Sequence, residues 1–247
     1  MERNLSFDVA GLRGLGIHLA WAQMEVFADD VDKIQVMAAG DDNSVNDLRI
    51  ETKNGELIVE QPQYGLSLNI MESRWLQVCV RVPRTFEGHV RLNTISGLLS
   101  ARKLDAGDIT LETVSGDLRA LKLKATSLTL KTVSGDARGE ELTAQRVTMR
   151  SVSGDIVLDG LSAQTLKCNS VSGEQTYNMT GTFRSVEVTA VSGNVVITAP
   201  VENINVSLRS LSGRVRTQGV SITDDEGAPS VRVTGVSADL KLISIKE

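Results

Sequence analysis

The sequence predicts an all-β chain: a single-stranded parallel β-helix, or solenoid, of about eight 19–20-residue rungs, entered through an irregular N-terminal β-cap. Two observations carry this prediction. A five-residue phrase returns as TISGL, TVSGD, TVSGD, SVSGD, SVSGE, AVSGN and SLSGR, with Ser-Gly pairs starting at Ser96, Ser115, Ser134, Ser153, Ser172, Ser192 and Ser212. The spacing is 19 residues four times and 20 twice, and a fixed short period means units that bury their apolar faces against neighbours. The aromatic residues are also unevenly placed. Phe7, Trp21, Phe27, Tyr64, Trp75 and Phe86 precede residue 90, and only Tyr177 and Phe183 follow it, so the two parts have different interiors.

Residues 1–90 read as short strands at 16–21, 23–27, 33–37, 47–51, 56–60 and 75–82. Leu76, Val78, Val80 and Val82 alternate with Gln77, Cys79 and Arg81, the period of a half-buried strand. Asp41-Asp42-Asn43 and Asn54-Gly55 are turn signals, and no segment holds a helical period over 11 residues. This part is expected to cap the first rung, because an open solenoid end is an adhesive edge.

Residues 91–247 form the repetitive part. Ahead of each phrase stands an inward pair: Ile109 and Leu111, Leu128 and Leu130, Val147 and Met149, Leu166 and Cys168, Val186 and Val188, Val206 and Leu208. Glu112, Lys131, Arg150, Asn169, Thr189 and Arg209 alternate with them and face solvent. After the phrase, Leu118, Ala137, Ile156, Gln175, Val195 and Val215 point inward again. Within the phrase, alternation places Val in, Ser out, Gly in and Asp out. Leu130 and Val133 are three apart, so a corner or bulge is expected at Thr132. A rung traces roughly 60 Å of chain, and eight rungs about 4.8 Å apart make a column about 35 Å tall. An eighth copy, GVSAD, occupies 235–239 with Ala238 in the glycine position, after a longer last rung with a loop at 224–229.

Composition excludes several partners. A formal charge of −5 and a pI near 5.2 argue against nucleic acid and against anionic membrane surfaces. No run of about 18 apolar residues is present to span a membrane. Arg13 and His18 interrupt the apolar residues near the start, unlike a secretory leader. Two cysteines give no disulfide framework. With Met1 as the native start the expected compartment is the cytoplasm; with a leader trimmed away it is the cell envelope or surface.

The recurrent [TS]-V-S-G-D units, the strand-rich start and the strand ending in Val82-Pro83 resemble a bacterial family over roughly residues 20–245. It is the β-strand-repeat domain of unknown function known as the putative-adhesin family. The resemblance implies a single-stranded β-helix, a bacterial source and, in some members, a surface or envelope interaction. It brings no catalytic residues and no cofactor.

The candidate sites are few. The glycines Gly97, Gly116, Gly135, Gly154, Gly173, Gly193 and Gly213 have no following Lys or helix start for phosphate, and read as structural positions without room for Cβ. Ala238 at the equivalent place favours tight packing over positive φ, and Gly135→Val is expected to cost about 2–4 kcal/mol. The outward serines, continued at Ser237, lack a base: His18 and His89 both lie outside the repeats, and neither has metal-ligand spacing. Stacked hydroxyls satisfying turn backbone are expected there instead. Asp117, Asp136, Asp155 and Glu174 form an acidic ladder, broken at Asn194 and Arg214, that is the one candidate for Ca²⁺. Asp224, Asp225 and Glu226 read as a solvated turn, Cys168 as a core filler, and uniform rungs leave no long loops to wall a cleft.

The expected function is a non-enzymatic scaffold or binding module presenting regular faces to a protein or glycan partner. One alternative is a self-assembling cytoskeletal scaffold similar to bactofilins, and another is a polysaccharide lyase or hydrolase.

Overall fold

The computed structural model describes residues 1–62 and 75–245; Tyr64 and the terminal Lys246-Glu247 lie outside them. The first part runs through β1 (Glu2–Asp8), β2 (Gly14–Trp21), β3 (Gln23–Asp29), β4 (Lys33–Gly40), the short helix α1 (Asp42–Asn46), β5 (Arg49–Lys53), β6 (Glu56–Glu60) and β7 (Leu76–Pro83). The repeats begin with β8 (His89–Ser96), β9 (Leu99–Arg102), β10 (Asp105–Ser115), β11 (Leu118–Leu121), β12 (Lys124–Ser134), β13 (Ala137–Glu140) and β14 (Thr143–Ser151). They continue through β15 (Ile156–Ser170), β16 (Gln175–Met179), β17 (Ser185–Ala199), β18 (Asn203–Ser210), β19 (Val215–Gln218), β20 (Ser221–Ile222) and β21 (Ser230–Ser244). Among the described residues these strands are linked into one sheet, solenoid-like in its stacking. No helix among them is long and apolar enough to cross a membrane.

Successive repeats pair in parallel at the register of the phrase: Ser96↔Ser115, Ser115↔Ser134 and Ser134↔Ser153. Leu111, Leu130, Met149, Cys168 and Val188 therefore form one buried column, each at most 2% exposed. A single apolar core extends from Leu15 to Leu242, through both parts of the chain.

The corner of each rung differs from the expectation in a way that matters. Thr94, Thr113 and Thr132 are buried, and the valine that follows each phrase-opening residue is exposed, as at Val114, Val133 and Val152. The alternation therefore breaks one residue later than Thr132, at Val133-Ser134, which both face solvent. The reason is chemical. The inward position lies beneath a turning backbone, and at three corners its hydroxyl adds a hydrogen bond to a corner carbonyl that a valine cannot make. Thr94 Oγ1 donates to Ser96 O at 2.9 Å, Ser170 Oγ to Ser172 O at 3.2 Å and Thr132 Oγ1 to Gly135 O at 3.4 Å. Gly135 completes the corner at φ 132°, and a Cβ there would be driven into the carbonyl of Gly116 on the adjacent rung. Both positive φ and lack of space thus select glycine, correcting the preference for packing alone. Ala238 is accommodated because its φ is not positive.

A second corner escaped the sequence reading. Lys103, Lys122 and Glu141 all adopt left-handed φ of 51–55°, and Gly160 follows at 66°. Each is followed by a buried leucine: Leu104, Leu123, Leu142 and Leu161. Left-handed φ at a non-glycine costs roughly 1 kcal/mol or more, which the stacked leucine side chains offset by burial.

Stacking order departs from chain order at both ends. β2 and β3 lie directly on β8 and β9, with Trp21 opposite Ser96, and β6 and β7 pair on their other side. Antiparallel β5, β4 and β1 then close that end. At the far end β21 is inserted between β17 and the β18–β19 rung, pairing Ser192 with Ser237 and Ser210 with Gly235. The GVSAD copy is therefore internal to the stack, and the SLSGR copy is terminal, correcting the order expected from sequence.

Candidate binding faces

Three outer features are built by the repetition itself. The first is the acidic ladder, whose carboxylates bond between rungs. Asp117 Oδ1 accepts the Asp136 amide at 3.2 Å, Asp136 Oδ1 the Asp155 amide at 3.1 Å, and Asp155 Oδ1 the Glu174 amide at 2.9 Å. Glu174 Oε1 receives Asn194 Nδ2 at 3.3 Å, and Asp239 Oδ1 accepts the Arg214 amide at 2.9 Å. Because Asp239 stacks beside Asn194, the ladder resumes after its break. Asp117, Asp136, Asp155 and Asp239 each accept a corner backbone N–H, whereas Glu174 accepts a side-chain amide. Among the described residues no group of three or more His, Cys, Asp or Glu converges as metal ligands would.

The second feature is an aliphatic ridge. Ile95, Val114, Val133, Val152, Val171, Val191 and Val236 project from the same corner, each 42–50% exposed, and Leu211 ends the row. Beside the ridge runs a shallow groove of about 270 Å³, floored by Thr94, Thr113, Thr132 and Ser151 and walled by Glu112, Lys131 and Arg150. Thr113 Oγ1 and Ser151 Oγ find no partner among the described residues.

The third feature is a concavity of about 700 Å³ that crosses four successive rungs. Ala106, Ala125, Ala144 and Ala163 line its floor, with Thr126, Gln145 and Gln164 along one margin and Asp105, Lys124, Thr143 and Ser162 along the other. Small floor residues let the sheet surface dip. Arg84 and Glu87, from the connection after β7, wall one end, so a cleft exists without any insertion in the repeats. Nothing in the periodicity marked this wall, because it comes from the non-repeating part.

The remaining candidates are dispersed. His89, at the start of β8, places Nε2 3.3 Å from Glu56 Oε1, and His18 contributes its carbonyl to the Gln61 amide. Cys168 is buried; burial pushes its thiol up to about 11, with Tyr177 as its hydrogen-bond partner. Tyr177 itself donates to Gln175 Oε1 at 2.9 Å, so a small polar cluster sits inside the stack. Asp225 closes the 224–229 loop, its Oδ1 accepting the Gly227 amide. The phrase serines serve the corners less than expected: Ser172 Oγ reaches Val152 O at 3.4 Å, while the inward Thr and Ser hydroxyls carry more of that role.

The family profile Toastrack DUF4097 matches residues 14–242, nearly the whole chain. The chain belongs to that family. Toastrack DUF4097 is a domain of unknown function. No curated protein matches the chain. Among solved structures, a putative lipid binding protein from Parabacteroides distasonis has a TM-score of 0.67 at 14% identity, over 98% of this chain and 96% of that one. A putative adhesin from Parabacteroides merdae has 0.65 at 11% identity, over 98% and 95%. A putative adhesin from Bacteroides fragilis has 0.55 at 16% identity, over 98% and 97%. At these identities the likeness is one of fold, and this Toastrack chain shares it end to end.

Proposed function

We propose that this Toastrack protein is a non-enzymatic, adhesin-like binding module: a single-stranded parallel β-helix of about eight repeat rungs presenting regular faces to an extended protein or glycan ligand. The carrying observation is the four-rung concavity, whose margins repeat neutral hydrogen-bonding side chains at the rung spacing. Thr126, Gln145 and Gln164 can donate and accept at intervals of about 4.8 Å, which suits a ligand that itself repeats. The neighbours titled putative adhesins support this reading at the level of fold. The other margin, with Asp105 paired to Lys124 at 2.9 Å, carries little net charge, so strongly charged polymers are poor fits.

The test is binding of purified protein to arrays of neutral glycans and of envelope peptides, comparing wild type with Gln145→Arg/Gln164→Arg. Both side chains are exposed, so the variant keeps the fold while its guanidinium groups fill the margin. Loss of captured ligand in the variant supports the groove; equal binding by both proteins rejects it.

A further inference from the structure

The aliphatic ridge is the largest regular apolar feature that the groove reading does not use, and its flanks decide what covers it. On one side of the ridge stand Glu112, Lys131 and Arg150; on the other, at the same three rungs, stand Asp117, Asp136 and Asp155. Consider two copies placed ridge to ridge and related by a two-fold axis parallel to the ridge. The axis preserves height and exchanges the flanks, so Arg150 of each copy meets Asp155 of the other at the same rung, and Lys131, joined to Glu112, lies between the carboxylates of Glu112 and the partner copy's ladder. The ridge of each copy then seats in the groove beside the ridge of the other, a reciprocal fit that an antiparallel arrangement does not give.

We propose that this Toastrack chain self-associates as a parallel two-fold dimer along the valine ridge, with Val133 and Val152 at its centre and Arg150 of each copy facing Asp155 of the other. Arg150 is exposed and makes no ion pair among the described residues, whereas Lys131 is already joined to Glu112. Asp155 uses Oδ1 for the Glu174 amide, which leaves Oδ2 for a partner. Uninterrupted exposure over seven rungs makes the strip about 29 Å long. With flanks it covers on the order of 500 Å² per copy, about 1,000 Å² in total, at the lower limit of a specific interface. The ridge and the four-rung concavity use different residues, so either reading can fail alone.

Sedimentation equilibrium of the full chain from about 1 to 300 μM tests this, with circular dichroism confirming the fold of each variant. Wild type should pass from monomer to dimer, and Val152→Asp should remain monomeric. Arg150→Asp should weaken the dimer at least about tenfold, and adding Asp155→Arg should recover much of the loss. Should the double variant prove less folded, the salt sensitivity of the wild-type dimer, abolished in Arg150→Gln, reads the same contact. A wild type monomeric throughout the range overturns the proposal, as does a dimer indifferent to both Val152→Asp and Arg150→Asp. Binding of monomeric wild type to phosphatidylcholine vesicles, lost in Val152→Asp, would overturn it in favour of a lipid surface.

Discussion

Gly135 shows how tightly a single position is bound to the stack. Its φ of 132° and the adjacent Gly116 carbonyl both exclude a side chain, so Gly135→Val should lower stability by about 2–4 kcal/mol, read from thermal or urea unfolding. An unchanged midpoint would remove the corner geometry from the account. Asp136 separates two explanations of the acidic ladder. As acceptor for the Asp155 amide it should cost about 1 kcal/mol to replace with Ala and little to replace with Asn, which keeps an acceptor oxygen. Asp29 adds a pH dependence. Its hydrogen bond and ion pair with Arg81, at 2.6 Å, hold the carboxyl below its ordinary value of 3.8. A depressed carboxyl stabilises the fold above the unfolded pKa and loses that contribution as pH falls through the lower, folded value. The stability gap between wild type and Asp29→Asn should therefore be present at neutral pH and close in acid below about pH 4. These roles were partly legible. Glycine in every phrase announced a steric constraint, but an acidic column reads alike as repulsion, metal site or amide acceptor until the facing N–H groups are placed.

At the scale of elements, the repeat period was legible and the corner was not. The alternation of Leu128 and Leu130 continues naturally to Thr132, yet apolar Val133 is a more obvious inward residue than threonine by hydrophobicity alone. At Thr94, Thr132 and Ser170 the hydroxyl bonds a corner carbonyl, a contact that hydropathy does not register, whereas Thr113 and Ser151 make none among the described residues. The left-handed corner at Lys122 stayed hidden for a related reason: lysine carries no turn signature, and only the recurring buried leucine after it betrays the site. The strands at 16–21, 33–37 and 56–60 fall within β2, β4 and β6, whereas β1 alternates too weakly to stand out. The inserted β21 yields the prediction of this scale. Asn205 and Ser230 occupy equivalent register, so removal of 205–229 leaves β21 to follow β17 as an ordinary rung. That shortened chain should fold cooperatively with a modestly reduced melting temperature. Loss of the sharp transition would mean that the terminal rung holds β21 in place.

The whole molecule is regular repetition interrupted at both ends. The period made the all-β, solenoid-like class legible, since stacked repeats bring Leu111, Leu130 and Met149 into one buried column at a 19-residue spacing. The ends were not legible because they depend on strands that return out of chain order, and periodicity carries no information about where a returning strand inserts. The terminal edge bears exposed Arg209, Arg214 and Arg216, charges that oppose end-to-end growth. The opposite end is closed by antiparallel strands. On the proposed reading the long faces are the surfaces for contact. The groove over Ala106, Ala125, Ala144 and Ala163 was invisible for the same reason as the ends, since its wall at Arg84 and Glu87 lies outside the repeat. Its ligand is the central claim, and the length dependence of binding tests it most directly. With the array-identified ligand prepared as a series of oligomers and titrated calorimetrically, affinity should rise with length and level off once the ligand spans four rungs, about 15 Å. Affinity independent of length, or unaltered in Gln145→Arg/Gln164→Arg, would contradict it.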